Sequence, residues 1–209
     1  MYRNYIKRIF DIMGASIALV ILFPIFLLLA ILIRAKLGSP ILFRQKRPGY
    51  KERIFTLYKL RTMTNQCNPD GSLLPDSERI TKFGLFLRCT SLDELPELIN
   101  IIKGDMSFIG PRPLLVKYLP LYSEQQRQRH KVRPGLSGLA QVKGRNHLSW
   151  DEKFALDLEY IKNISIWLDI KIFLLTILKV CGRKGIHSQS SITMDEFIGN
   201  NTDISPPKL

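Results

Sequence analysis

The sequence predicts an α+β protein, dominated by helices, that sits on one face of a membrane as a monotopic protein. Three observations lead there. An uncharged apolar run extends from Ile12 to Ile33 between basic flanks, helix-start chemistry recurs three times downstream, and the β-rich runs are few and short. The expected division is a re-entrant membrane helix over 1–38, a cytosolic domain with interfacial helices over 39–187, and a loosely ordered tail over 188–209.

The apolar run comes first. Its length, about 22 residues, would extend roughly 33 Å as a straight helix, enough to cross a bilayer core. Pro24 stands near its middle, where a proline removes a backbone donor and clashes with the preceding turn. A helix broken there has two arms of about 16 Å, each reaching half-way through the hydrocarbon. Arg3, Lys7 and Arg8 precede the run, and Arg34, Lys36, Arg44, Lys46 and Arg47 follow it. Cationic flanks favour the cytoplasmic side, so both ends belong there and the expected form is a re-entrant hairpin broken at Pro24. A kinked spanning helix is the main rival. A signal peptide lacks its small-residue cleavage site here, and a buried core helix would not be apolar on every face.

Next, Pro40 to Gln45 and Arg53 to Thr62 read as strands joined through Arg47-Pro48-Gly49-Tyr50, a turn sequence. Asn65 to Pro75 reads as a loop. Ser91 with Glu94 fits a capping box for a helix closed by Gly104; Ser149 with Glu152 opens a second, ended near Asn163; Ser165 opens a third, ended by Gly182. This last helix carries Trp167 among many aliphatic residues. It either lies in the membrane interface or packs in the core, and the core is favoured.

Composition narrows the partners. A net charge of +13 over 209 residues requires an acidic partner. Beside an apolar anchor, anionic membrane lipids fit better than nucleic acid, each basic residue near the surface adding about 1 kcal/mol. A nucleic-acid-binding protein would leave the apolar run unexplained and would need a module that is absent. Cys67, Cys89 and Cys181 lie far apart without metal-ligand spacing and read as reduced thiols.

The densest polar signal runs from Thr90-Ser91-Leu92-Asp93-Glu94 to Gly110-Pro111-Arg112-Pro113. Acidic residues in a first helical turn are ordinary, because backbone donors and the helix dipole favour them. Residues further along the chain give the pair more weight: Asp105 adds a third carboxylate, and Arg112, stiffened between two prolines, is suited to bidentate phosphate binding.

Ser91-Leu92-Asp93-Glu94-Leu95-Pro96, Gly104-Asp105-Met106-Ser107, Gly110-Pro111-Arg112-Pro113 and Arg133-Pro134-Gly135 closely resemble the bacterial sugar transferase family, the monotopic polyprenyl-phosphate phosphoglycosyl transferases. Lys59-Leu60-Arg61-Thr62-Met63, Gly138-Leu139-Ala140-Gln141 and Gly144-Arg145-Asn146 match it too. The resemblance runs from the anchor to about Lys184. It implies an enzyme on the cytosolic face of the bacterial inner membrane, moving sugar-1-phosphate from a UDP-sugar to undecaprenyl phosphate with release of UMP. The donor implied is UDP-N,N'-diacetylbacillosamine or a related N-acetylated sugar nucleotide. Asp93 would be the nucleophile of a covalent phosphosugar intermediate and a ligand of Mg2+. Lys59, Arg88 and Arg112 would lie near the phosphates, Gln141 and Arg145 would contact the nucleotide, and Asp105, Asp157 and Asp169 would support the site. Neither half-reaction needs much proton transfer, so Glu94 is expected to act through Mg2+ or orientation more than as a general base.

Some positions depart from the family pattern. Phe23 replaces a serine common before the anchor proline, Leu60 a phenylalanine, Leu139 a tryptophan and Lys143 an asparagine. None removes a charge that the chemistry needs. A non-catalytic scaffold that gathers downstream glycosyltransferases is the alternative reading, and the intact Asp93-Glu94 pair argues against it.

Overall fold

The computed structural model describes residues 2–144, 147–182 and 196–199, and places one long apolar helix against a helix-rich domain with two small sheets. A short π-helical turn, Tyr2–Ile6, leads into α1, Lys7–Lys36. Helical conformation is continuous from Lys7 to Lys36 with Pro24 inside it. The expected division into two helices at Pro24 is therefore not seen in the backbone: a proline deletes one donor and bends a helix without having to end it.

The fully buried positions of α1 are Asp11, Ala15, Leu29 and Ile33, and between them Ala18, Leu19, Leu22 and Phe26 are partly buried on the same domain-facing side. Twelve large apolar side chains between Ile9 and Ile31 are more than a third exposed, Val20 and Ile21 most of all at 75% and 67%. Leaving such a set in water would cost on the order of 10–20 kcal/mol, as much as the whole stability of a typical domain. Hydrocarbon is the solvent that removes this cost, and α1 is long and apolar enough to enter it.

Both ends of α1 are fastened to the same domain. Near the start, Arg8 donates to the Ile101 and Ile102 carbonyls, and Asp11 accepts from Ser107 Oγ and the Phe108 amide. Near the end, Leu29, Ile33 and Leu37 pack with Leu60 and Leu87, and Lys36 Nζ lies 5.1 Å from the centre of the Phe83 ring.

Strands β1, Leu42–Pro48, and β2, Ile54–Leu60, form an antiparallel hairpin with Leu42 opposite Leu60 and Pro48 opposite Ile54. The two-residue period of β2 puts Lys59 on the face that carries the buried Phe55 and Leu57. That face meets α4, Glu97–Lys103. Asn100, fully buried, accepts from the Tyr58 amide and donates to the Thr56 carbonyl and Asp105, locking β2 to α4. Between hairpin and α4 lie α2, Asp76–Arg79, and α3, Lys82–Cys89.

Strands β3, Ser107–Ile109, and β4, Gly135–Ser137, pair in parallel and bring Gly110-Pro111-Arg112-Pro113 against Arg133-Pro134-Gly135. A Cβ at Gly135 would stand 2.1 Å from the Gly110 nitrogen, so only glycine allows this contact. Beyond lie α5, Glu124–Arg127, α6, Leu139–Lys143, α7, Trp150–Lys162, and α8, Ile166–Cys181. The capping box at Ser149 and Glu152 and the Ser165 cap form as the sequence suggests.

Helix α8 departs from the core placement favoured by its sequence. Leu168, Ile172 and Leu175 face the interior with Ile109 and Tyr160. Trp167, Ile170, Phe173, Leu174, Ile177 and Leu178 are exposed, Trp167 at 77%. At 100° per residue these form one continuous apolar arc, so the helix is two-faced and its outer face is free for an apolar phase. Within 188–209, the described residues are 196–199, and Phe197 is buried among Tyr118, Tyr122, Trp150 and Phe154.

Candidate active site

Asp93 and Glu94 lie in a 3-10 turn, Leu92–Glu94, ahead of α4. The capping box expected at Ser91 and Glu94 does not form. Ser91 has φ 56°, its side chain caps nothing, and Pro96 sets the start of the α-helix at Glu97. A non-glycine residue in the left-handed region is costly, and here it turns the chain so that Asp93 and Glu94 face the hairpin. Leu92 and Leu95, on either side of the pair, join the apolar cluster in which Leu60 of β2 and Leu87 of α3 meet Leu29 and Ile33 near the end of α1. The carboxylates thus sit on a turn packed against β2 and α3, in the same apolar cluster that holds the end of α1.

Glu94 takes the ion pairs. Its Oε1 accepts from Lys59 Nζ at 2.6 Å and from Arg112 Nη2 at 3.0 Å, and Lys59 also reaches Glu97 at 3.2 Å. Burial disfavours the charged form of Glu94, but Lys59 and Arg112 outweigh it and hold the carboxyl at about 2. Asp93 is only 8% exposed and, among the described residues, receives no hydrogen bond on its side chain. Burial first, then the neighbouring Glu94 charge, raise it to about 6 against the pull of Lys59, Arg112 and Arg88. Glu97, which the sequence does not single out, is raised to about 7 by burial and by Glu94. Its signal is its position, one turn from Glu94 on the face that meets Lys59.

The cations are positioned from outside the cluster. Arg88 Nε donates to Thr62 Oγ1 at 3.0 Å, and the Arg112 carbonyl accepts from Arg129 Nη2 at 2.8 Å. Arg129 in turn pairs with buried Asp157 at 2.7 Å. Asp157 is therefore connected to the cluster through Arg129 and the Arg112 backbone, and Asp105 through Asn100 and β2. Asp169 is not brought there: it accepts from Tyr2, Lys7 and Tyr160 and ties the start of the chain to α8. Gln141 donates to the Leu136 carbonyl and its buried Oε1 has no hydrogen-bond partner among the described residues. Arg145 lies outside the described residues. His130 is buried beside Gly49, and burial and the Arg129 charge lower it to about 4, so it is a neutral packing group. Of the departures, Leu139 is a core residue next to Val142, and Lys143 faces Glu159 on α7.

The charge of the cluster sets what it can do. Three carboxylates, Asp93, Glu94 and Glu97, face three cations, Lys59, Arg88 and Arg112, and roughly cancel. An incoming diphosphate would be left uncompensated. No three His, Cys, Asp or Glu side chains converge as a complete protein-only metal site among the described residues. Mg2+ commonly uses one or two carboxylates and completes its shell with substrate phosphates and water, so the hydrogen-bond-free Asp93 fits that role. If turnover needs ionised Asp93, log kcat/KM falls by about one unit per pH unit below about pH 6, as the raised carboxyl protonates. A limb near pH 4 instead would show that burial and Glu94 do not govern this group.

An apolar anchor joined to a small domain that holds a bare carboxylate among fixed cations defines a membrane-attached transferase. The chain belongs to the bacterial sugar transferase family, which matches residues 2–183. It is 48% identical to the uncharacterized sugar transferase EpsL of Bacillus subtilis, over 96% of this chain and 98% of that protein. It is 37% identical to the exopolysaccharide production protein ExoY of Rhizobium meliloti, over 86% of this chain and 87% of that one. Identity is 41% to the UDP-glucose:undecaprenyl-phosphate glucose-1-phosphate transferase of Klebsiella pneumoniae, over 83% of this chain and 39% of that longer protein.

Proposed function

We propose that the protein transfers sugar-1-phosphate from a UDP-sugar to undecaprenyl phosphate through a covalent intermediate on Asp93. One observation carries the reading: among the described residues Asp93 receives no side-chain hydrogen bond, on a turn whose flanking leucines join the apolar cluster at the end of α1, beside phosphate-compatible cations. In the first step an Asp93 oxygen attacks the sugar-bearing phosphorus, and the phosphorus–oxygen bond to UMP breaks, its electron pair leaving with UMP. In the second, an oxygen of undecaprenyl phosphate attacks the same phosphorus and releases the Asp93 carboxylate. Lys59, Arg88 and Arg112 bind and orient the phosphates, while Glu94, held ionised at about 2, fixes Lys59 and Arg112. Mg2+, when bound by Asp93 and the donor phosphates, supplies the neutralising charge.

The test is a single-turnover experiment with Mg2+ and no lipid acceptor. UMP appears in a burst stoichiometric with enzyme, and undecaprenyl phosphate then drives turnover. Kinetics that need both substrates before any UMP forms would remove the covalent step. A donor panel reads the sugar. UDP-N,N'-diacetylbacillosamine, implied by the sequence resemblance, competes there with UDP-glucose and UDP-galactose, suggested by the names of relatives.

The membrane geometry proposed is re-entrant, with α1 bending at Pro24 inside one leaflet and the domain on the cytosolic face. Support comes from Arg8 and Lys36, at opposite ends of α1, both docking on one body. A spanning helix would put roughly 30 Å of hydrocarbon between them. Cysteines introduced near Arg3 and Lys36 are expected to label from the cytoplasm alone. Labelling of either from the periplasm would establish the spanning form.

A further inference from the structure

Away from Asp93, a cavity of about 380 Å³ opens between the start of the chain, the hairpin turn and the segment after α5. Its lining includes Arg3, Lys51, Glu52, Arg127 and Lys131, with buried His130 behind them. It shares no residue with the carboxylate cluster. Glu52 is already neutralised, both of its oxygens accepting from Arg127 Nη1 at 2.9 Å. Arg3 donates to the Lys131 carbonyl at 2.7 Å, and Lys51 Nζ lies 5.4 Å from the centre of the Tyr50 ring. Arg3, Lys51 and Lys131 therefore line one concavity with no carboxylate partner among the described residues. Like charges gathered this way repel unless an anion lies between them.

We propose that this cavity binds a phosphate ester that carries hydroxyl groups, as found in an anionic phospholipid headgroup or a small soluble phosphate ester. Three unpaired cations suit a singly or doubly charged phosphate. The Glu52 carboxylate has lone pairs left for hydroxyl donors, and its charge disfavours a polyphosphate. The lipid source fits the surroundings. Arg3 is two turns from exposed Ile9 and Phe10 on the membrane helix, so acyl chains can lie on that surface while the headgroup enters the cavity. This rests on the membrane placement of α1, but not on the transferase reaction.

The experiment is native mass spectrometry of the full chain in neutral detergent, without donor or acceptor, so its outcome is independent of whether transferase activity is found. The probes are short-chain phosphatidylglycerol, phosphatidylcholine and glycerol 3-phosphate. One phosphatidylglycerol is expected to bind saturably and phosphatidylcholine is not. Lys51→Ala with Lys131→Ala weakens phosphatidylglycerol binding at least tenfold, and Lys131→Ala alone acts in the same direction. Lys162→Ala with Lys171→Ala removes as much charge from another exposed region and changes binding less than twofold. Glycerol 3-phosphate binding as tightly as phosphatidylglycerol, with the same dependence on Lys51 and Lys131, supports the site and assigns it to soluble esters. Equal binding of phosphatidylcholine, no binding of either phosphate probe, or equal losses in the two double variants overturns it.

Discussion

Replacing Asp93 with asparagine is expected to abolish turnover and, at the same time, to raise the melting temperature. The loss in kcat should be at least about 10⁴-fold, the scale seen when a covalent nucleophile is removed, and the UMP burst should vanish with it. The gain in stability comes from the same burial that raises the carboxyl of the proposed nucleophile. Asp93 has its carboxyl raised from 3.8 to about 6 in the folded protein. A raised carboxyl favours the protonated form, so its contribution is fully present below pH 3.8 and is lost as the pH climbs through about 6. At pH 7.5 the ionised group therefore costs about 2–3 kcal/mol. Asparagine keeps the shape and drops the charge, so the variant should melt higher at pH 7.5, by about half as much at pH 5, and close to wild type only near pH 3.8. A variant that still turned over, or that melted lower at pH 7.5, would separate Asp93 from the role given to it.

Lys59→Met should do the opposite to stability. Lys59 is buried between Glu94 at 2.6 Å and Glu97 at 3.2 Å. Its removal leaves Asp93, Glu94 and Glu97 facing two arginines, and breaking a buried pair by deleting one partner typically costs about 3–5 kcal/mol. Activity should fall about 10²–10³-fold, as when one preorganised charge is lost from a site that binds developing negative charge. The stability deficit carries a pH signature. Glu97, raised to about 7, and Asp93, raised to about 6, protonate on acidification and relieve the uncompensated charge. Melting curves of variant and wild type should thus converge between pH 7.5 and pH 5. A deficit independent of pH would point to lost packing by the lysine stem instead.

The parts of this fold legible from sequence are those written in local chemistry. The hairpin follows from Pro48-Gly49, α7 from the Ser149–Glu152 box, α8 from Ser165, and the membrane helix from an uninterrupted apolar run. Local chemistry misleads at Ser91. A serine three residues before a glutamate reads as a cap, yet Lys59 and Arg112, distant in sequence, claim the glutamate and the serine adopts a left-handed turn. Similarly, the aliphatic richness of α8 suits either the core or a membrane interface, and only the neighbours that cover Ile172 and leave Trp167 bare decide its faces. Glu97 and Arg129 escape a sequence reading for a related reason. Nothing beside either in the chain marks it, and each gains its place from a partner more than 25 residues away, Lys59 for one and Asp157 for the other. Asp169, conversely, is expected near the chemistry and is spent on tethering Tyr2 and Lys7.

The double attachment of α1, through Arg8 at one end and Lys36 at the other, leaves the protein without a pivot. An enzyme on a flexible stalk can dip towards its lipid, whereas one seated through a helix held along the domain, as proposed, is keyed to the bilayer like a plug in its socket, and the depth of Asp93 is fixed once the helix is in place. On the proposed placement and acceptor, the lipid must bring its phosphate to a set height, which makes leaflet thickness, more than any swinging of the domain, the quantity that governs whether the two meet.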